Sequence, residues 1–292
     1  MKYIFTLATN GYAEYFENFK KSINNFYPNE DKTLIVFSNK LEEHNEWQIG
    51  NTKINIINIP NLLYTSIVLN KFNFIEWYAI INKLDDNQLI FFFDIDTYFY
   101  NDCEHAQNEL TNIINEHINS VIFTNELDNL YIKQNNINRY MHGYVYNDDD
   151  LNIKEPKIFS DYSFSDHNLW CRDCRTSFFC GTIKSIKKLN IIYTEYYKEI
   201  LHTDRIIPYI YDEDMINYIW LKQLIGEINE QYIYVTDNSL ININKKEIDN
   251  KNYYINTSDI NDQIKLNEEY VQFLICNQKY DAIKHKIKSS II

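Results

Sequence analysis

Short runs of consecutive apolar residues alternate along this chain with stretches in which apolar positions recur every third or fourth residue. KYIFTLAT near the start reads as a strand, after which Tyr12, Tyr15, Phe16, Phe19, Ile23 and Phe26 keep helical spacing until Pro28. TLIVFS (33–38) and INIINI (54–59) predict buried strands, 65–84 is mainly helix by its spacing, and QLIFFFDI predicts the next strand. Further on come a helix over 106–119, a strand SVIFTN, a strand SFFCGT running into a helix over 183–202, and a helix over DEDMINYIWLKQL. Unbroken apolar strands between helices predict an α/β sheet covered on both faces. The polar stretch 126–170, with its NDDD, is too irregular to assign and reads as a loop-rich acceptor face. No glycine-rich linker or repeat divides the chain.

One strand end is chemically unusual. In LIFFFDIDTYFYND, five apolar residues lead straight into Asp94 and Asp96 before aromatics resume. Two ionised carboxylates in apolar surroundings repel each other and need a counter-charge or water. On an extended strand they share one face, with Cα atoms roughly 7 Å apart, a spacing that suits a cation shared with phosphate oxygens. Hard oxygen donors favour Mg2+ or Mn2+ with coordination positions left for substrate. In open α/β sheets ligands gather beyond the carboxyl ends of the strands, which is where Asp94, Asp96, Thr9, Asn10 and Ser38 are expected. A lone D-x-D is more often a solvated strand end, so other motifs must decide. The carboxylates Asp85/Asp86 and Asp148–Asp150 lie in polar surroundings and read as solvated loops.

Bulk properties narrow the class. The 292 residues are 45% hydrophobic and 16% aromatic, enough for one large core or two joined ones. A net charge of -13 argues against wrapping nucleic acid. The N-terminal apolar run is broken by polar residues after one strand length, so neither a signal peptide nor a membrane span is expected, and the cytoplasm is the expected compartment. The odd set Cys103, Cys171, Cys174, Cys180 and Cys276 reads as free thiols. His167, Cys171, Cys174 and Cys180 are spaced for a zinc site only irregularly, and zinc is the weaker reading. Abundant Asn, Ile, Lys and Tyr matches an AT-rich coding sequence, so asparagine runs receive little functional weight.

Four separated motifs resemble glycosyltransferase family 6, the family of the ABO blood-group transferases and the α-1,3-galactosyltransferases, in a soluble, bacterial-type form. FTLATNGYAEYFENFKKSINNFY is similar to its opening strand, turn and aromatic helix, which implies Leu7, Thr9 and Tyr12 around a uracil. KFNFIEW followed by FFFDIDTYF is similar to the segment ending in the metal-binding D-x-D, with Lys71 where the family usually has Arg. RTSFFCGTIKSI resembles the segment against donor sugar and acceptor; Thr176, Ser177 and Cys180 replace family glycines, Gly181 remains, and Arg175, Thr176 and Ser177 become candidate specificity residues. YIYDEDMIN is similar to the family's H-D-E with Asn four residues after the Glu: Asp212, Glu213 and Asn217 match, and Tyr211 replaces the His.

The resemblance implies a GT-A-like fold, a Rossmann-like mixed sheet flanked by helices. It implies a nucleotide-sugar region at 1–126, an acceptor and catalytic region at 127–240 continuous with it, and a C-terminal segment at 241–292. The implied enzyme is a retaining hexosyltransferase. It moves galactose or N-acetylgalactosamine from a UDP-sugar to an oligosaccharide or glycolipid acceptor in α-1,3 linkage. Asp94 and Asp96 would hold Mn2+ or Mg2+, Glu213 would face the sugar, and Asp212 would bond donor hydroxyls. The basic tail with Lys279, Lys284, His285, Lys286 and Lys288 admits three readings: a solvated helix end, a peripheral contact with anionic lipid, or a segment closing over the diphosphate. Two rival classes stay open, a haloacid-dehalogenase-like phosphatase built on FFFDIDT and a silent carbohydrate-binding protein rich in Tyr and Trp.

Overall fold

The computed structural model describes residues 1–61, 64–97, 99, 104–125, 174–204 and 212–236. The polar stretch 126–170, His167, Cys103, Cys171, Tyr211, Cys276 and the basic tail all lie outside the described residues.

Strand β1 (Lys2–Leu7) leads through a 3-10 turn (Asn10–Tyr15) into α1 (Phe16–Ser22) and a second 3-10 turn (Ile23–Asn25). There follow β2 (Lys32–Ser38), β3 (His44–Ile49), β4 (Thr52–Asn58), α2 (Tyr64–Leu69), α3 (Lys71–Ile81) and β5 (Leu89–Phe93). The second half supplies α4 (Glu104–Glu116), β6 (Val121–Asn125), β7 (Cys174–Thr182), α5 (Ile183–Asp204), α6 (Asp212–Leu224) and β8 (Ile233–Thr236). All eight strands belong to one mixed sheet in the order β3-β4-β2-β1-β5-β7-β6-β8. Strands β4, β2, β1 and β5 run parallel, while β7 runs antiparallel to both its neighbours. Among the described residues the chain is therefore α/β, with one eight-stranded sheet whose strands fall between residues 2 and 236.

The unbroken apolar strands feed two cores, because successive side chains leave opposite faces. Phe5, Leu7, Ile35, Phe37, Ile90, Phe92 and Phe179 pack with Phe72, Ile75 and Tyr78 of α3 and with residues of α5 and α6. Ile4, Leu34, Val36, Phe91, Phe93 and Phe178 pack on the other face with Phe16 and Phe19 of α1 and Leu110 and Ile114 of α4. Phe92 and Phe179 stack face to face across β5 and β7, centroids 4.8 Å apart at 4°. On the opposite face the Phe26 ring meets Phe91, Phe93 and Phe99 at 5.1–5.2 Å.

Topology positions the site. From β1 the chain crosses to β2 over the face carrying α1, then returns from β4 to β5, on β1's other side, over the face carrying α3. The gap between the carboxyl ends of β1 and β5 is thus where the strand order reverses, the usual ligand crevice of such sheets.

Several sequence expectations need correction. The helix over 65–84 is two, broken at Asn70, whose φ and ψ of -97° and 7° leave the helical region. The helix after β1 is split by 3-10 turns. The strand expected over QLIFFFDI ends at Phe93, and Asp94 to Thr97 form a turn closed by the Thr97 N–H donating to the Asp94 carbonyl at 3.0 Å. Strand alternation therefore does not set the two carboxylates on one face. The physical reason is the loss of ladder partners: the β1 register stops at Phe5 against Phe92, and one last bond joins Asp94 to β7.

Candidate active site

The motif residues meet at the carboxyl end of β5. The Asp94 N–H donates to the Ser177 carbonyl at 2.8 Å, which ties the D-x-D turn to the first residues of β7. One residue earlier, the Thr176 carbonyl accepts from Lys71 Nζ at 3.2 Å. Lys71 Nζ also lies 2.5 Å from Asp212 Oδ2 and 4.7 Å above the centre of the Phe92 ring. Lys71 is 3% exposed, so it is no solvated helix lysine. Its placement has a helical logic. Lys71 opens α3 and Asp212 opens α6, so each helix brings its positive end to the same point. Asp212 and Glu213 suit that field, whereas Lys71 opposes it and needs the carboxylate beside it.

Asn217 holds α6 against β7. Its Oδ1 accepts from the Cys174 N–H at 2.8 Å, and its Nδ2 donates to the Cys174 carbonyl at 3.2 Å and to the Glu213 carbonyl at 3.0 Å. The side-chain amide thus bonds both polar groups of the Cys174 backbone, as a neighbouring strand would. Both Asn217 and Glu213 are buried. Thus the second, third and fourth motifs come together through Asp94–Ser177, Thr176–Lys71–Asp212 and Cys174–Asn217. Arg175 stands on β7 opposite Thr124 in the β6 register.

The first motif ends β1 beside this cluster. Thr9 is buried and precedes the 3-10 turn, whose Tyr12 N–H donates to the Thr9 carbonyl at 3.0 Å. Leu7 is buried in the α3 core, and Tyr12 is half-buried against Tyr15. The Ser38 hydroxyl, ending β2, donates to the Ala8 carbonyl at 2.5 Å. Two residues that the composition argument discounted belong here. Asn39 Oδ1 accepts from the Asn10 N–H at 2.8 Å, while Asn39 Nδ2 donates to Asn10 Oδ1 at 3.0 Å and to Asn61 Oδ1 at 2.9 Å. The available signal was position: each asparagine follows the end of a parallel strand.

Among the described residues, no group of three or more His, Cys, Asp or Glu is placed to bind a metal. Asp94 and the buried Asp96 stand two residues apart in the turn after β5, and both are hard-oxygen donors of the kind that suits Mg2+ or Mn2+. Zinc at the cysteine cluster fits less well. Cys174 and Cys180 are buried free thiols in opposite cores, and burial pushes the Cys180 thiol far above its ordinary pKa, away from the thiolate zinc needs. Asp85 and Asp86 are exposed, and Asp86 pairs with Lys187 at 2.7 Å. Among the described residues no helix is long and apolar enough to cross a membrane.

No protein-family model matches the chain, and no curated protein matches it either.

Proposed function

We propose that the chain is a metal-dependent retaining glycosyltransferase of GT-A-like fold. It takes galactose or N-acetylgalactosamine from a UDP-sugar and attaches it to an oligosaccharide or glycolipid acceptor in α-1,3 linkage. The observation that carries this reading is the meeting of Lys71, Thr176 and Asp212, residues from three motifs more than 30 positions apart, at the end of the strand that delivers Asp94 and Asp96. A reversing strand order at that point adds support, since such crevices take nucleotides.

In this reading Leu7, Thr9 and Tyr12 line the base, and Asp94 and Asp96 are the residues that would hold Mn2+ or Mg2+. The cation, when bound, acts as a Lewis acid that offsets charge on the departing UDP. Lys71 is held by Asp212 and the Thr176 carbonyl, so the ion pair places an ammonium donor beside the crevice with its charge balanced. Glu213 presents a carboxylate to the oxocarbenium-like sugar carbon as the bond to UDP weakens, the electrostatic demand that retaining glycosidases also meet. Asp212 orients donor hydroxyls, and Arg175, Thr176 and Ser177 select the sugar. The C1–O bond to phosphate is exchanged for one to the acceptor oxygen, with retained configuration, and the hydroxyl proton leaves with UDP or solvent. The enzyme needs no membrane span or nucleic acid, and a cytoplasmic setting suits assembly of a glycan before export.

The test is turnover of UDP-galactose and UDP-N-acetylgalactosamine against a glycan panel with Mn2+. UDP release that requires metal and falls by about 10²-fold or more in Glu213→Gln supports the assignment. Phosphate release from a generic phosphoester instead, with no UDP-sugar turnover, would replace it by the phosphatase reading.

A further inference from the structure

The three asparagines beyond β1, β2 and β4 form a network whose amide orientations are forced. Oxygen and nitrogen of a side-chain amide are assigned from the hydrogen bonds they make, and here a backbone group anchors the assignment. The Asn10 N–H can only donate, so the Asn39 atom 2.8 Å from it must be the oxygen. Asn39 therefore turns its NH2 group the other way, and both atoms facing that group must be acceptors. They are Asn10 Oδ1 at 3.0 Å and Asn61 Oδ1 at 2.9 Å. With their oxygens committed, Asn10 and Asn61 direct their own NH2 groups away from Asn39. Neither NH2 has a partner among the described residues.

Backbone geometry reinforces the arrangement. Asn10 has a φ of +52°, the left-handed region that asparagine tolerates better than most residues, which bends the chain sharply from β1 into the 3-10 turn. Ser38 holds the neighbouring turn: its hydroxyl donates to the Ala8 carbonyl at 2.5 Å and accepts the N–H groups of Lys40 and Leu41 at 3.1 and 2.9 Å. Asn39 is thereby fixed between two braced loops, and it holds the donor polarity of both neighbours.

We propose that this triad is the base-selecting element of the nucleotide site, with Asn39 as the positioning residue. A surface that offers NH2 donors favours a ring edge carrying carbonyl oxygens, which is the uracil edge, and disfavours one carrying the exocyclic amine of cytosine. The proposal rests on the nucleotide-sugar reading above, and Asn10 lies between Thr9 and Tyr12, the residues that reading sets around the base. Substitution by aspartate separates polarity from shape. In Asn39→Asp the side chain still accepts from the Asn10 N–H but no longer donates. Asn10 and Asn61 then rotate their NH2 groups toward the carboxylate and present oxygens to the base.

The experiment is calorimetric binding of UDP and of CDP, each with Mn2+, to the wild-type chain, to Asn39→Asp and to Asn61→Ala. The wild type is expected to prefer UDP by roughly tenfold or more, the scale of one mispaired donor. That preference should collapse or invert in Asn39→Asp and weaken in Asn61→Ala. Asn61 is exposed, so its variant decides the matter if Asn39→Asp fails to fold. An unchanged UDP:CDP ratio in the folded variants overturns the triad's role while leaving the nucleotide-sugar reading intact. Absence of UDP binding by the wild type overturns both.

Discussion

Lys71 and Asp212 lie 141 positions apart in the chain, yet their charged atoms meet at 2.5 Å with both side chains almost fully enclosed. Each is the first residue of its helix, so the pair joins the starts of α3 and α6 beside β7. Removing one partner leaves a buried charge uncompensated. Lys71→Met is expected to destabilise the fold by about 3–5 kcal/mol, and the double variant Lys71→Met, Asp212→Asn to recover much of that loss. Urea unfolding of the four members of the cycle measures it. Additive losses would mean that the two charges do not interact.

Asn217 stitches the same helix to the sheet through three hydrogen bonds. Asn217→Leu removes all three hydrogen bonds from the interior, at a cost of about 3 kcal/mol. Asn217→Asp keeps the acceptor for the Cys174 N–H and loses only the donor, so its loss should be smaller if the backbone clamp is real. Amide hydrogen exchange at Cys174 reports directly: it should accelerate strongly in Asn217→Leu and much less in Asn217→Asp. Equal protection in both variants would remove the clamp.

Gly181, in β7, is required by packing. A Cβ there would stand 2.7 Å from Ser185 Oγ and 3.2 Å from the Ser120 carbonyl oxygen. Ser185 Oγ is already committed to the Thr182 carbonyl at 2.8 Å, so neither neighbour yields freely. Gly181→Ala should lower stability by about 1–3 kcal/mol through overpacking, read as a lower melting temperature. An unchanged melting temperature would contradict the close approach of β7 to β6.

Lys32 gives the protein a distinct pH response. Its Nζ is buried and donates to the carbonyls of Tyr27 and Glu30 at 3.1 and 3.3 Å, and burial lowers its pKa from 10.5 to about 8 against the opposing pull of Glu30. Between those two values the unfolded chain binds the proton that the folded chain has released, so Lys32 favours folding more as pH rises through that window. Below it, both states are charged and burial is a penalty. The stability of wild type relative to Lys32→Met should therefore climb from about pH 8 to pH 10. A difference that stays flat with pH would contradict the lowered pKa.

How much of this was legible in the residues varied with the kind of signal. Strands β1, β2 and β5 announced themselves because a strand buried on both faces is nearly apolar throughout, β4 showed itself by its isoleucines although its alternate residues are partly exposed, β7 by its SFFC centre, and the helix over Asp212–Leu224 matched its acidic start and apolar repeat. Strand β3 went unread: His44–Ile49 is an edge strand paired only with β4, so it needs few apolar residues. β8, four residues long, is too short to show a period. The break at Asn70 was hidden because both flanking segments are helical and differ only in direction. At the site, Asp94 and Asp96 could be picked out by their apolar setting and Lys71 and Asp212 only by the family resemblance, while the ion pair that joins the last two is a product of the fold. Asn39 and Asn61 were masked by composition, since a chain so rich in asparagine makes any one of them look incidental. Only their positions after consecutive parallel strands, brought side by side by the sheet, give them a common role.

The central claim is a nucleotide site built on Asp94 and Asp96, and UDP titration calorimetry with and without Mn2+ tests it most directly. The wild-type chain and an Asp94→Asn, Asp96→Asn double variant are compared side by side. The account predicts UDP binding that strengthens with Mn2+ in the wild type and loses that metal dependence in the variant. Absence of UDP binding under every metal condition, or equal binding by both proteins, would contradict it.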